Sequence, residues 1–356
     1  MATPYSIPVT HVQPRADASV NRSVARWLFV CCALVFAMVV VGGVTRLTHS
    51  GLSITEWQPI IGAVPPMSDA QWQETFAKYK LTPEFRQINN AMTLSEFKGI
   101  FWWEYLHRLL GRVIGLVFFV PLVWFIASRR ISSALAAKLF GIFALGAAQG
   151  ALGWYMVQSG LIDDPRVSPF RLTAHLGLAF AILGAMLWTA MTLRMPQHAA
   201  LDATRQHTVR RLAFLLVAVV CVMVISGGFV AGIRAGFAYN TFPLMNGHIV
   251  PPEILMLDPS WTNLFWNMAT VQFDHRVLAL ILVVVALLLW WRLRVTPGLP
   301  SRAVRGGNAL LAMLVLQIGL GIATLLYVVP LPLAALHQGG ALLTFMLALN
   351  VAHALR

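Results

Sequence analysis

Charge is scarce in this chain. Only 11% of its 356 residues are Asp, Glu, Lys or Arg, whereas a soluble domain carries about 25%. Hydrophobic residues make up 58% and the mean hydropathy is +0.72, which excludes an ordinary water-soluble fold. Cysteine is almost missing as well. Cys31, Cys32 and Cys221 all fall in apolar runs with no CxxC spacing, so neither a zinc site nor a loop disulfide is expected. The first 26 residues lack the short apolar run and small-residue cleavage site of a leader peptide, and no cleavable signal is expected.

The apolar residues gather into eight runs, roughly 27–47, 103–126, 136–158, 172–193, 211–233, 272–292, 306–328 and 332–353. Each is near the about 20 residues that cross a bilayer. With the N-terminus placed inside, the inner segments hold fifteen of the 26 Lys and Arg but only Asp17 and Asp202 of the 13 acids. Both termini are therefore expected in the cytoplasm. The net charge of +13 becomes a topology signal and a contact with anionic lipid. Its bases are split among short segments, so a nucleic-acid partner is not expected.

The chain also repeats itself, a feature to be read before any other. "VGGVTRLTHSG" (41–51) resembles "SGGFVAGIRAG" (226–236), and "YLHRLLG" (105–111) aligns with "FDHRVLA" (273–279). "AQGALG" (148–153) aligns with "LQIGLG" (316–321), and "LTAHLGLAF" (172–180) with "LAALHQGGA" (333–341) around their histidines. The expected fold is all-α and integral to the membrane: eight transmembrane helices as two pseudo-symmetric four-helix bundles, related by an axis along the membrane normal. Residues 1–26 form a cytoplasmic N-terminal segment, 27–194 the N-terminal bundle, 195–210 a cytoplasmic linker and 211–356 the C-terminal bundle. The long outer loop at 48–101 differs from its counterpart. It carries Ser68 with Gln71, a capping box, then Thr82 before Pro83. These signals predict two short helices forming an extracytoplasmic lid.

His107, His175, His275 and His337 all fall near the outer ends of even-numbered spans. A single histidine in a span more often bonds a neighbouring helix. Four at one depth, repeated in register, point to axial ligands of haem iron: His107 with His175, and His275 with His337. Arg108 and Arg276 follow the first ligand of each pair and are candidates for the haem propionates, although snorkelling to the interface serves an arginine equally well. His49 and His248 lie in outer loops, where a solvated position and a propionate contact are both open. Gly111, Ala179, Ala279 and Ala341, each one turn beyond a histidine, fit a flat macrocycle and fit ordinary helix packing. The halves differ at Glu104, one turn before His107, whose counterpart is Gln272. A carboxylate there can move protons where glutamine cannot. The competing role is a salt bridge to Arg108, four residues on.

"GGVTRLTHSGLSITEWQPIIGAVPP", "EFKGIFWWEYLHRLLGR", "AYNTFPLMNG" and "FDHR" together resemble the haem A synthase family, from about residue 27 to the end. The long first loop and absence of loop cysteines resemble its alphaproteobacterial and mitochondrial branch. The resemblance implies an oxidoreductase acting on a CH3 group, which oxidises the C8 methyl of haem O to a formyl group through two hydroxylations. It implies haem b as cofactor on His275 and His337, substrate haem O on His107 and His175, and Glu104 as the catalytic carboxylate. It further implies a bacterial inner membrane protein with its haem sites toward the outer side. Partners would be a haem O synthase and cytochrome oxidase assembly factors; a homo-oligomer is left open. A di-haem membrane cytochrome that only transfers electrons shares every histidine argument but leaves Glu104 and the unequal loops unexplained. A repeat-built transporter without a cofactor would be colourless.

Overall fold

The computed structural model describes residues 15–58, 61–162, 164–195 and 203–356. The start of the expected N-terminal segment, 1–14, and the middle of the expected linker, 196–202, lie outside the described residues. The described residues are all-helical in their regular structure, with eight helices among them long and apolar enough to cross a membrane. In chain order the helices are α1 (Arg15–Leu47), α2 (Asp69–Lys80), α3 (Pro83–Gln87), α4 (Leu94–Ala127), α5 (Ser133–Gln158), α6 (Pro169–Arg194), α7 (Ala203–Gly232), α8 (Asn263–Trp266), α9 (Met268–Val295), α10 (Ser301–Leu326) and α11 (Leu331–Ala354). All but α2, α3 and α8 are candidate spans. In lipid every backbone polar group needs a partner, and where Pro121 interrupts the bonding of α4 the Val117 carbonyl accepts from Trp27 Nε1 of α1 at 2.8 Å.

Neighbours in the first half form a ring. α1 packs on α4 and α6, and α5 packs on α4 and α6. In the second half α7 packs on α9 and α11, and α10 packs on the same two. Contacts of α6 with α7, α1 with α11, and α6 with α11 join the halves. The larger apolar core lies at the end of the bundle away from the four histidines. It runs from Val24 and Leu28 through Phe118, Leu122, Leu183, Leu216, Leu289 and Leu310 to Leu342 and Val351.

At the histidine end the structure differs from the sequence reading in one respect. α4 starts at Leu94 rather than near residue 103. The cause is local. The Thr93 hydroxyl accepts from the Glu96 amide while the Glu96 carboxylate accepts from the Thr93 amide, at 3.3 and 2.8 Å, a capping box that secures the first turn. The polar residues Ser95, Glu96 and Lys98 hide this extension from a hydropathy reading.

One face of that extension seats the lid. α2 begins at the Ser68–Gln71 capping box, and α3 begins with Thr82 as cap and Pro83 in its first turn, both as the sequence predicts. Trp72, Phe76 and Tyr79 of the lid are buried against Phe97, Phe101 and Tyr105 of α4. Aromatic packing of this kind stabilises beyond its buried area alone. Tyr79 donates to the buried carboxylate of Glu84 at 3.2 Å, and Asn89 donates to the Tyr79 oxygen at 2.7 Å.

Burial raises the Glu84 carboxyl from an ordinary 4.5 to about 7. The docked lid therefore holds a proton that an undocked lid releases above about 4.5. Docking is strongest below that value and weakens as pH rises toward 7. Limited proteolysis of the lid should accelerate between about pH 5 and 8, and Glu84→Gln should flatten that dependence. A wild-type profile that is flat, or that slopes the other way, contradicts this account of the seat.

Candidate functional site

His175, His275 and His337 each occupy the second turn of their helix, and His107 lies on α4 beyond its extension. His107 and His175 lie near enough for their charges to interact, as do His275 and His337. The two helices of each pair are not neighbours in their ring. α4 stands across the ring from α6, and α9 across from α11. The imidazoles thus reach toward one another over the middle of four helices.

The other diagonal of each ring supplies glycine. A β-carbon at Gly42 of α1 would come within 2.9 Å of the His107 ring, and one at Gly153 of α5 within 2.9 Å of the His175 ring. In the second half the same contact is made by Gly227 of α7 to His275, at 3.4 Å, and by Gly321 of α10 to His337, at 2.9 Å. Each imidazole therefore leans on bare backbone of the adjacent helix. A side chain at any of the tighter three positions would displace the ring. The glycines stood in the repeat that the sequence showed, but their purpose did not. Gln149 and Gln317, also matched in the repeat, donate to the backbone oxygens of His175 and His337 at 3.0 and 2.9 Å. Their amide nitrogens also lie 3.3 and 3.2 Å from a ring nitrogen of the same histidine. In the second half Ser226 lies 3.1 Å from His275 Nδ1.

Haem fits these residues by the chemistry of the donor set. Each ring presents a pair of imidazoles, the ligand type that haem iron takes axially. The buried Nδ1 of His175 has no hydrogen-bond partner, and neither do the buried Gln149 and Gln317 carbonyl oxygens. Buried polar atoms without partners are uncommon and call for an explanation. Among the described residues no group of three or more His, Cys, Asp and Glu side chains gathers as a closed metal site requires. Of the small residues one turn on, Gly111 packs on Met38, at 3.3 Å from a β-carbon, and Ala179 is buried in the apolar core.

Glu104 is 2% exposed and serves as a hub. One carboxylate oxygen accepts from the Ser53 hydroxyl and the Ile54 amide, both at 2.7 Å. The other accepts from Arg108 Nε and Nη2 at 3.0 and 2.6 Å. The salt bridge weighed from the spacing is therefore present, along with two loop contacts that spacing could not reveal. Gln272, 3% exposed, does the same job with opposite polarity. Its amide donates to the carbonyls of Ala235 and Ala238, and its oxygen accepts from Arg276 at 2.8 Å. The loop after α1 offers donors and meets a carboxylate. The loop after α7 offers acceptors and meets an amide.

Arg108 and Arg276 clamp those same loops. Arg108 donates to the carbonyls of Ile54 and Glu56 at 2.8 and 3.0 Å, in addition to Glu104. Arg276 donates to Tyr239 and Thr241 at 3.0 Å each and to Pro243 at 3.3 Å, in addition to Gln272. Most of their donors are spent on the chain itself. The lid lies over Glu104, close enough for Tyr79 and Glu84 to feel its charge. At the lid edge, Asn89, Met92, Ile100 and Trp103 line a crevice of about 590 Å³ that opens one turn outward from His107.

Gly321→Ala should push the His337 ring aside and lower the haem content of purified protein at least several-fold, because the new methyl would come within 2.9 Å of that ring. Gly319→Ala, where a β-carbon meets nothing within 4 Å, is the matched control and should retain full colour. Equal Soret absorbance per protein in the two variants would contradict this role of glycine.

A family model described as "Cytochrome oxidase assembly protein", COX15-CtaA, matches residues 25–349. A "Heme A synthase" of Nitrosospira multiformis is 57% identical over 95% of this chain and 95% of its own. Others are those of Nitrosomonas eutropha, 54% identical over 92% of each chain, and Rhodospirillum centenum, 49% identical over 96% of this chain and 91% of its own. With the paired histidines in place and likeness running along nearly the whole length, the chain belongs to the COX15-CtaA family, that of the heme A synthases.

Proposed function

We propose that this protein is a membrane oxidoreductase that converts haem O to haem A by oxidising the C8 methyl group to a formyl group. Two hydroxylations at that carbon give a geminal diol, and loss of water leaves the aldehyde. The observation that supports this reading best is one device used twice with one difference. Each half sets two imidazoles across a ring of four helices against glycines, and one turn before the first histidine the first half has a buried carboxylate, Glu104, where the second has Gln272. In this reading His107 and His175 hold the iron of the substrate, and His275 and His337 hold resident haem b. Haem b, when bound, supplies a one-electron redox centre.

The chain's own residues then do three things. The four imidazoles fix the two macrocycles relative to the same bundle, so the reacting methyl is presented in one orientation. The lid over Glu104 keeps water and bystander oxidants from the substrate. Glu104, one turn from His107, accepts a proton at the reacting carbon or orients the water that attacks it. Arg108, Ser53 and Ile54 hold that carboxylate in place. A glutamine at the equivalent position suits a half that only passes electrons.

The finer points of the reading follow. The matched neighbour relations within the halves support a pseudo-twofold pair of four-helix bundles, divided near residues 195–210. The long lidded loop and lack of loop cysteines support the branch with no disulfide relay there. The distribution of bases supports an inner-membrane orientation with the histidine end outward. A haem O synthase is the natural supplier of the substrate, and terminal oxidase assembly consumes the product.

The test is extraction of haem from membranes that express this chain beside a haem O synthase, followed by mass analysis. Wild type should yield the formyl product, and His107→Ala and His275→Ala should yield only haem O. Glu104→Gln should cut product at least tenfold with protein level preserved, in line with loss of a general base. A chain that binds haem yet leaves haem O unaltered is an electron carrier, and the oxidase reading fails.

A further inference from the structure

The two arginines beside the ligands clamp loop carbonyls, with the buried Arg276 Nε left without a partner, yet two others near the histidines clamp no loop. Arg46 lies one turn beyond Gly42 on α1, and Arg234 lies two turns beyond Gly227, just past the end of α7. Because Gly42 and Gly227 touch His107 and His275, Arg46 stands one turn outward of the first imidazole on the same face of α1, and Arg234 stands outward of the second in the turn that follows α7. The two helices belong to different halves, but the guanidinium charges are near enough to act on one another. His49 joins them, with its Nδ1 3.3 Å from Arg234 Nη2. Among the described residues, the Arg46 side chain makes no hydrogen bond or ion pair, and no carboxylate lies within ion-pairing distance of Arg234. Glu84 of the lid feels the charge of Arg234 without pairing with it.

Two guanidinium groups and an imidazole gathered there, with Arg234 and His49 exposed and no acid paired to either arginine, form an unbalanced positive patch that attracts an anion. Burial and the two neighbouring charges push His49 below its ordinary value, so it joins as a neutral hydrogen-bonding group.

We propose that Arg46, Arg234 and His49 form one shared carboxylate site at the seam between the halves, which takes a propionate from each haem: Arg46 from the substrate and Arg234 from the resident group. This rests on the haem reading above and goes beyond it, because it moves the propionate contacts away from Arg108 and Arg276. It also ties the two macrocycles to a single charge cluster. Arginine is suited to the task because its planar fork grips a carboxylate through two parallel hydrogen bonds.

The test uses purified, haem-b-loaded protein and two probes for the substrate site, iron protoporphyrin and its dimethyl ester, titrated by Soret difference spectra. Wild type should bind the free acid about tenfold more tightly than the ester, the worth of one charged hydrogen-bonded contact. Arg46→Gln should abolish that preference and leave ester binding and resident haem content unchanged. Arg234→Gln should leave the probe preference largely intact and lower the midpoint potential of resident haem b, since a nearby cation is gone; Arg234→Lys should restore most of it. If Arg46→Gln weakens acid and ester alike, its role is structural and the shared site falls. The site also falls if the acid-over-ester preference survives in Arg46→Gln or is lost only in Arg108→Gln. A protein that holds no resident haem and takes up neither probe overturns the haem reading itself, and this site with it.

Discussion

The histidine end of this protein depends on the contact between an imidazole and a glycine of the adjacent helix. Four helices in a ring leave little room at their centre. Histidine on one diagonal and glycine on the other let two rings approach the middle while the flanking backbones stay close. In lipid no hydrophobic force draws helices together, and small residues at the interface set how near they come. The same glycines thus govern both helix spacing and imidazole position. That is why the two halves, which share little else in their loops, share "GG" after residue 41 and after residue 226, and a glycine at 153 and 321.

Glu104 and Gln272 show how chemistry and architecture are joined. Each is buried beneath a loop, anchored to an arginine four residues on, and bonded to the backbone that follows the preceding span. The loop in one half offers an amide and a hydroxyl, and in the other two carbonyls. Side-chain type therefore answers to loop polarity as well as to reactivity. A carboxylate that also serves as a keystone is held in one orientation, which is what a positioned proton acceptor needs.

Much of this was legible in the sequence because the signals are local. Apolar runs of sufficient length give spans, and Ser68, Thr82 and Pro83 mark where the lid helices begin. The pairing of histidines could be read because the repeat places equivalent residues at equivalent depth. What could not be read depends on partners far along the chain. The aromatic seat on the α4 extension is completed by Trp72, Phe76 and Tyr79 of the lid. The commitments of Arg108 and Arg276 rest on carbonyls 33 to 54 residues away in sequence. His49 and Arg234 meet across the two halves, 3.3 Å apart, and no periodicity encodes that meeting.

The uneven placement of the apolar core has a mechanical meaning. Nearly all the tightly buried aliphatic side chains sit beyond the histidines toward one end, while the other end is joined by single hydrogen bonds, loop clamps and a lid whose seat loosens as pH rises. Such a bundle is anchored at one end, so a change in the loops or the lid reaches the histidines without disturbing that anchor.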